Sequence, residues 1–287
     1  MSKLIYSAYY SNFLISIGAF CMTLYAGHRV HLPDAEAMMV ALFIGCGTFI
    51  YYGLHDLYTK IWEGSSSKPG ERKSFWQQNY KWLLALMAVT SIVALYWGWQ
   101  ICTPFRFWVY LVAGIITLLY SFPLLPFPRL RRWKEQPVIK LIVLSGVWAA
   151  ICTVIVLPTG NAWSRTIEWL FFLRWSFMVA ICLPFEVRDT EFDKSLMKKT
   201  LPDILQYRGL IVLLIICLLV YLAMLGIGWH QQWVLTAPML VGVMHILYIG
   251  WLVYKSLRSP QHPFMYLWLD AQIILQPLII GAGIVFT

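Results

Sequence analysis

Long apolar runs separated by short polar segments dominate the chain. Nine runs are long enough to cross a bilayer: about 8–27, 36–55, 80–99, 104–122, 137–157, 166–187, 208–228, 233–254 and 264–286. A spanning helix needs roughly 20 mainly apolar residues. Backbone groups in lipid must be bonded internally, so each run is predicted to be a helix rather than a barrel strand, which would need only about 10 alternating residues. The expected fold is an all-α polytopic bundle. It forms one membrane domain over residues 1–287, with approximate halves 1–133 and 134–287.

Composition agrees with this pattern. Only 12% of the 287 residues are charged and 60% are hydrophobic, and mean hydropathy is +0.68. A soluble fold would have too little polar surface to cover such a core. No cleavable signal sequence is apparent, so the first run is expected to be kept. The six cysteines form no Cys-x-x-Cys pair and fall almost entirely within the runs, as small packing residues do.

Charge orients the bundle. The net charge is +9, which in a soluble chain would suggest nucleic acid. Here the basic residues sit in short loops, and no nucleic-acid partner is expected. With nine spans, all but Arg29, Arg106, Arg165 and Arg174 of the 22 basic residues fall on the side of the N-terminus. That side is therefore predicted to be cytoplasmic, with the C-terminus opposite. Trp62, Trp76, Trp82 and Trp133 near one side, and Trp99, Trp163, Trp229 and Trp233 near the other, fit aromatic belts facing lipid.

The segment Pro184-Phe-Glu-Val-Arg-Asp-Thr-Glu-Phe-Asp-Lys194 closes the sixth span. On a continued helix Glu186, Asp189 and Asp193 fall at i, i+3 and i+7, on one face. Such a stripe has two readings. It is a solvated charged face, or it holds a divalent cation, for which carboxylate oxygens suit Mg²⁺ bridged to phosphate. Arg129, Arg131, Arg132, Lys198 and Lys199 would offset phosphate charge beside it. Deeper in the bundle, Arg174, His245 and Asp270 are ionisable groups at membrane depth, which need partners. His245 and Asp270 are expected on facing sides of adjacent helices. They form either a structural polar network or part of a pocket.

These residues resemble the UbiA superfamily of intramembrane prenyltransferases. The second signature of that family, Asp-Ile-Arg-Asp-x-x-x-Asp followed by a basic residue and Thr-Leu, is matched by Glu186-Val-Arg188-Asp189-Thr-Glu-Phe-Asp193 and Lys199-Thr200-Leu201. Tyr120-Ser121-Phe-Pro123 and Arg129-Leu-Arg131-Arg132 resemble its Tyr-Ser-x-Pro and basic stretch. The first signature, Asn-Asp-x-x-Asp-x-x-x-Asp, is degenerate. At the end of the second span stands His55-Asp56-Leu-Tyr-Thr59-Lys60, and only Asp56 and Glu63 remain as oxygen ligands. The two motifs lie four helices apart, as a duplicated helical half requires.

The resemblance implies a prenyl diphosphate substrate and Mg²⁺ held by Glu186, Asp189, Asp193, Asp56 and Glu63. It implies diphosphate contacts from Arg129, Arg131, Arg132, Arg188, Lys198 and Lys199. Departure of diphosphate would leave an allylic cation for a hydrophobic, aromatic acceptor to capture. Tyr51, Tyr52 and Tyr120 would face that cation, or are ordinary packing residues. Asp56, Asp189 and Asp193 would be the catalytic acids, and Tyr52, Tyr120, His245 and Asp270 would line the pocket. Two other functions remain: a degenerate relative that binds isoprenoid or lipid without turnover, and an unrelated membrane transporter.

Overall fold

The computed structural model describes residues 3–58, 71–121, 136–157, 164–188, 190, 199–258 and 263–281. Among them are ten helices and no strand: α1 (Lys3–Tyr10), α2 (Phe13–Arg29), α3 (Asp34–Leu57), α4 (Glu71–Ile101), α5 (Pro104–Ser121), α6 (Pro137–Val154), α7 (Arg165–Arg188), α8 (Leu201–His230), α9 (Thr236–Arg258) and α10 (Pro263–Gly281). Each expected run has its helix, α2 to α10. Six helices are long and apolar enough to cross a membrane, and the apolar parts of α5 and α10 are shorter. The chain is a multi-pass integral membrane protein.

The first run is not one continuous helix. Asn12, buried and left-handed at φ 67°, breaks it into α1 and α2. Asparagine tolerates this conformation better than other residues with a Cβ. Trp76, placed in a lipid-facing belt by its sequence position, is instead buried, and its indole donates to the Tyr10 carbonyl at 2.9 Å. That bond ties the start of α4 to the end of α1. Trp82 and Trp99 of α4 are largely exposed, as a belt requires. Trp62, Trp133 and Trp163 lie outside the described residues.

The helices form a closed circuit in which α6 packs on α7. α2 packs on α3, α6 and α10, and the sequence α7–α8–α9–α10 closes the circle. Gly18 allows the closure: a Cβ there would lie 2.6 Å from Ile273 of α10. α7 is buried on nearly all sides, which explains its apolar character all round. α4 lies outside α3, and α5 leans on α6. Both expose many large apolar side chains, as a lipid-facing rim should.

Two buried arginines fasten the end of the bundle at which α4 and α6 finish. Arg106 donates to the carbonyls of Ile101 and Ile155 and pairs with Glu36 at 2.6 Å. Arg174 donates to the Cys152 carbonyl, to Thr153 Oγ1 and to the Met22 carbonyl. Ile101, Cys152 and Ile155 stand at helix ends, where the last carbonyls lack intrahelical donors and carry partial negative charge, whereas Met22 lies inside α2. The guanidinium groups supply both the donor and the positive charge.

Candidate functional site

The opposite end of the bundle gathers the ends of α3, α5 and α7 and the start of α6. Glu186, in the last turn of α7, is buried and forms an ion pair with Lys140 in the first turn of α6, at 3.1 Å. Charge burial of this kind holds only when both charges are paired and bonded. Cys182 stands one turn before Glu186 on α7, and Tyr120 lies in the last turn of α5 at the same end of the bundle.

Asp56 lies one turn beyond Tyr52 on α3, so the two share a face. It is buried and accepts a hydrogen bond from Asn12 Nδ2 at 2.7 Å. The break between α1 and α2 thus serves the site, because the left-handed turn at Asn12 carries its amide to the degenerate first motif. Tyr52 OH accepts from Trp148 Nε1 at 2.9 Å, and the Tyr51 and Tyr52 rings meet edge to face with centroids 5.1 Å apart.

Below these tyrosines a cavity of about 380 Å³ lies between α3, α5 and α6. Tyr51, Tyr52 and Tyr120 line it at the acidic end. Phe43 and Tyr110 meet at its other end, with ring centroids 4.4 Å apart. Its lining is almost wholly apolar.

Several expected site residues are accounted for. Arg188 lies against the rings of Phe185 and Tyr266, 5.0 and 4.8 Å from their centroids. Lys199 is exposed just before α8. The Thr200 that follows it caps that helix, in a reciprocal pair with Asp203. The Lys-Thr-Leu-Pro tail of the motif is therefore also a helix start. Glu63, Arg129, Arg131, Arg132, Asp189, Asp193 and Lys198 lie outside the described residues.

A polar pair joins α9 and α10. His245 and Asp270 do lie on adjacent helices, α9 and α10, but the ring Nε2 of His245 donates to Gln272 Oε1 at 2.9 Å. Residues 270 and 272 are separated by about 200° around a helix. Gln272 therefore turns towards α9, and Asp270 lies on a different face of α10. His245 belongs to the packed interior, not to the cavity lining.

Among the described residues, no three Asp, Glu, His or Cys side chains converge as a metal site. The carboxylates of Asp56 and Glu186 are of the oxygen type that Mg²⁺ favours, but Glu186 already has Lys140 as its counter-ion. Sequence reasoning did not identify Asn12, Lys140 or Trp148. Asn12 had a signal, a side-chain amide inside an apolar run. Lys140 was counted with the loop cations, though it follows Pro137 by less than one helical turn.

The family model described as "UbiA prenyltransferase family" matches residues 78–269, more than half of the chain. Among solved structures, an apo UbiA homolog from Aeropyrum pernix K1 superposes with a TM-score of 0.67 at 14% identity, covering 94% of this chain and 96% of that one. A UbiA homolog from Archaeoglobus fulgidus, bound to GPP and Mg²⁺, gives 0.61 at 16% identity, covering 95% and 99%. A structure of digeranylgeranylglyceryl phosphate synthase gives 0.57 at 13% identity, covering 96% and 98%. No curated protein matches.

Proposed function

The chain belongs to the UbiA prenyltransferase family, and from that premise we propose that it transfers a prenyl group from a prenyl diphosphate to a hydrophobic, aromatic acceptor. The observation that carries the reading is the junction of two unlike environments. An apolar cavity, lined by tyrosines at one end, runs towards the helix ends that carry buried Asp56 and the buried Glu186–Lys140 pair.

In this reading the diphosphate lies at the charged end and the prenyl chain below it. Asp56, Asp189, Asp193 and Glu63 would supply the carboxylate oxygens for Mg²⁺. Glu186 serves chiefly to hold Lys140, a role that departs from the ligand role its motif position implies. Bound Mg²⁺ would supply charge stabilisation for the leaving diphosphate. Lys140, Arg188, Lys198, Lys199 and the arginines at 129, 131 and 132 add fixed positive charge where negative charge develops. The bond between C1 of the prenyl group and the diphosphate oxygen breaks, and its electron pair leaves with the diphosphate. The faces of Tyr51, Tyr52 and Tyr120 stabilise the allylic cation. The acceptor then bonds to C1 and loses a proton. Asp270 is a pocket residue for the acceptor. The charged end faces the cytoplasm, as the basic loops favour.

A second reading is favoured by a specific feature: Asp56 and Glu186 are both already bonded, by Asn12 and Lys140. In that case the protein binds the isoprenoid without turning it over. One experiment tests both. Purified protein is incubated with Mg²⁺ and a panel of prenyl diphosphates, and diphosphate release is measured alongside binding. Release supports the transferase, binding without release supports the binder, and neither event would remove both.

A further inference from the structure

The cavity between α3, α5 and α6 has features that packing does not explain. Gly47 of α3 stands one turn from Phe43, and Gly114 of α5 stands one turn from Tyr110. Both glycines line the cavity. A Cβ added to either would meet nothing within 4 Å. The bundle uses other glycines differently. Gly18, Gly53 and Gly228 are filled to within 3.0 Å by Ile273, Met87 and Trp169 respectively. Glycine within a helix weakens it. At 47 and 114 no close contact compensates for that weakness; Gly47 is half-buried and Gly114 exposed, and both leave unfilled space on the cavity walls near the Phe43–Tyr110 contact.

The size of the space matches one kind of occupant. From Tyr51 to Phe43 along α3 is about 12 Å at 1.5 Å per residue. An extended isoprene repeat spans four C–C bonds of about 1.5 Å, or roughly 5 Å after zigzag. The depth thus accepts about two to three repeats. The volume of about 380 Å³ agrees: at about 30 Å³ per small group at liquid density it accepts about a dozen carbons.

We infer that this cavity seats the prenyl chain, that Gly47 and Gly114 provide the room for its distal repeats, and that the Phe43–Tyr110 contact limits it to about ten to fifteen carbons. The inference rests on the prenyl diphosphate reading of the charged end. It adds a length preference and the residues that set it.

The test uses the full chain in detergent with Mg²⁺ and prenyl diphosphates of five, ten, fifteen and twenty carbons, reading affinity for each. The unaltered protein should bind the ten- and fifteen-carbon compounds best and the twenty-carbon compound at least tenfold more weakly. Gly47→Leu and Gly114→Leu should each weaken the ten- and fifteen-carbon compounds at least tenfold and leave the five-carbon compound within threefold. Both replacements raise helix propensity and their Cβ is unobstructed, so folding should survive. Gly226→Leu is the control. Like Gly114 it is exposed and meets nothing within 4 Å, but it lies on α8 and does not line the cavity. Phe43→Ala should gain the twenty-carbon compound.

Prenyl diphosphates that bind with a profile unmoved by the leucine variants would overturn the inference while leaving the proposed function standing. Equal binding of ten and twenty carbons by the unaltered protein would do the same, because a longer tail would then escape between α3 and α5. Failure of every prenyl diphosphate to bind would overturn both.

Discussion

The ammonium group of Lys140 lies 3.1 Å from Glu186 Oε1, and the pair closes the space between the start of α6 and the end of α7. The side chains are 15% and 5% exposed, respectively, so this is an interior pair. Removing one member leaves a buried charge without its counter-ion, at a cost of about 3–5 kcal/mol. Lys140→Met should therefore lower the unfolding midpoint sharply. Lys140→Met combined with Glu186→Gln should recover most of that loss, because the orphan charge is gone. The double variant should still lose diphosphate affinity, since the fixed cation is missing. Thermal unfolding and diphosphate binding, measured on both variants, separate the two effects. Unchanged affinity in the double variant would remove Lys140 from the substrate site.

Asn12 holds Asp56 through a single side-chain amide. Asn12→Gly keeps access to the left-handed turn and deletes only the donor. A hydrogen bond to a charged group is worth about 1.5–3 kcal/mol, so turnover should fall at least tenfold if Asp56 must be held in place. Asn12 acts through Asp56 and is a positioning residue. The distinguishing readout is the Mg²⁺ concentration needed for half-maximal turnover. It should rise in Asn12→Gly, whereas a purely structural role would lower stability and leave that concentration unmoved.

The number and place of the helices could be read from the sequence because lipid imposes one rule on every segment: an apolar run must satisfy its own backbone. The faces could not. α7 is apolar all round, so periodicity says nothing about which side carries Glu186 towards Lys140. Depth placed His245 and Asp270 on neighbouring helices, but it could not show that Gln272, two residues on, presents the side that meets His245. The degenerate first motif showed that Asp56 had lost its acidic companions. It did not show that an asparagine from a break in the first run had come to stand beside it. Such contacts join residues 44 to 46 positions apart, between Asn12 and Asp56 and between Lys140 and Glu186, and local patterning carries no trace of them.

Tyr52 offers a test of the cation role. Its ring lines the cavity and its hydroxyl is held by Trp148. A cation over an aromatic face gains about 0.5–2 kcal/mol. Tyr52→Phe preserves the face and should keep turnover within a few-fold. Tyr52→Leu removes the face and should cost roughly tenfold, the rate equivalent of about 1.4 kcal/mol. Single-turnover rates at saturating substrate make the comparison. Equal loss in both variants would assign the hydroxyl, and not the ring, to the chemistry.

Arg174 separates stability from catalysis at the far end. It is fully buried in α7, and it reaches the carbonyls of Cys152 and Met22 and the hydroxyl of Thr153. Its guanidinium lies 5.8 Å from the Tyr25 ring centroid. The fork geometry serves several acceptors at once, which a lysine ammonium on a flexible stem reproduces poorly. Arg174→Lys should therefore destabilise despite keeping the charge. Arg174→Met should release the carbonyls without stranding a cation. Each lost acceptor costs about 1–3 kcal/mol when left buried and unbonded, so both variants should lower the unfolding midpoint. Neither should abolish affinity for prenyl diphosphate in the fraction that remains folded, because Arg174 does not itself line the cavity and touches its lining only through the backbone carbonyl of Cys152. Unfolding in detergent, with affinity measured on the folded fraction, checks both statements. Loss of affinity at unchanged midpoint would show that Arg174 belongs to the site after all.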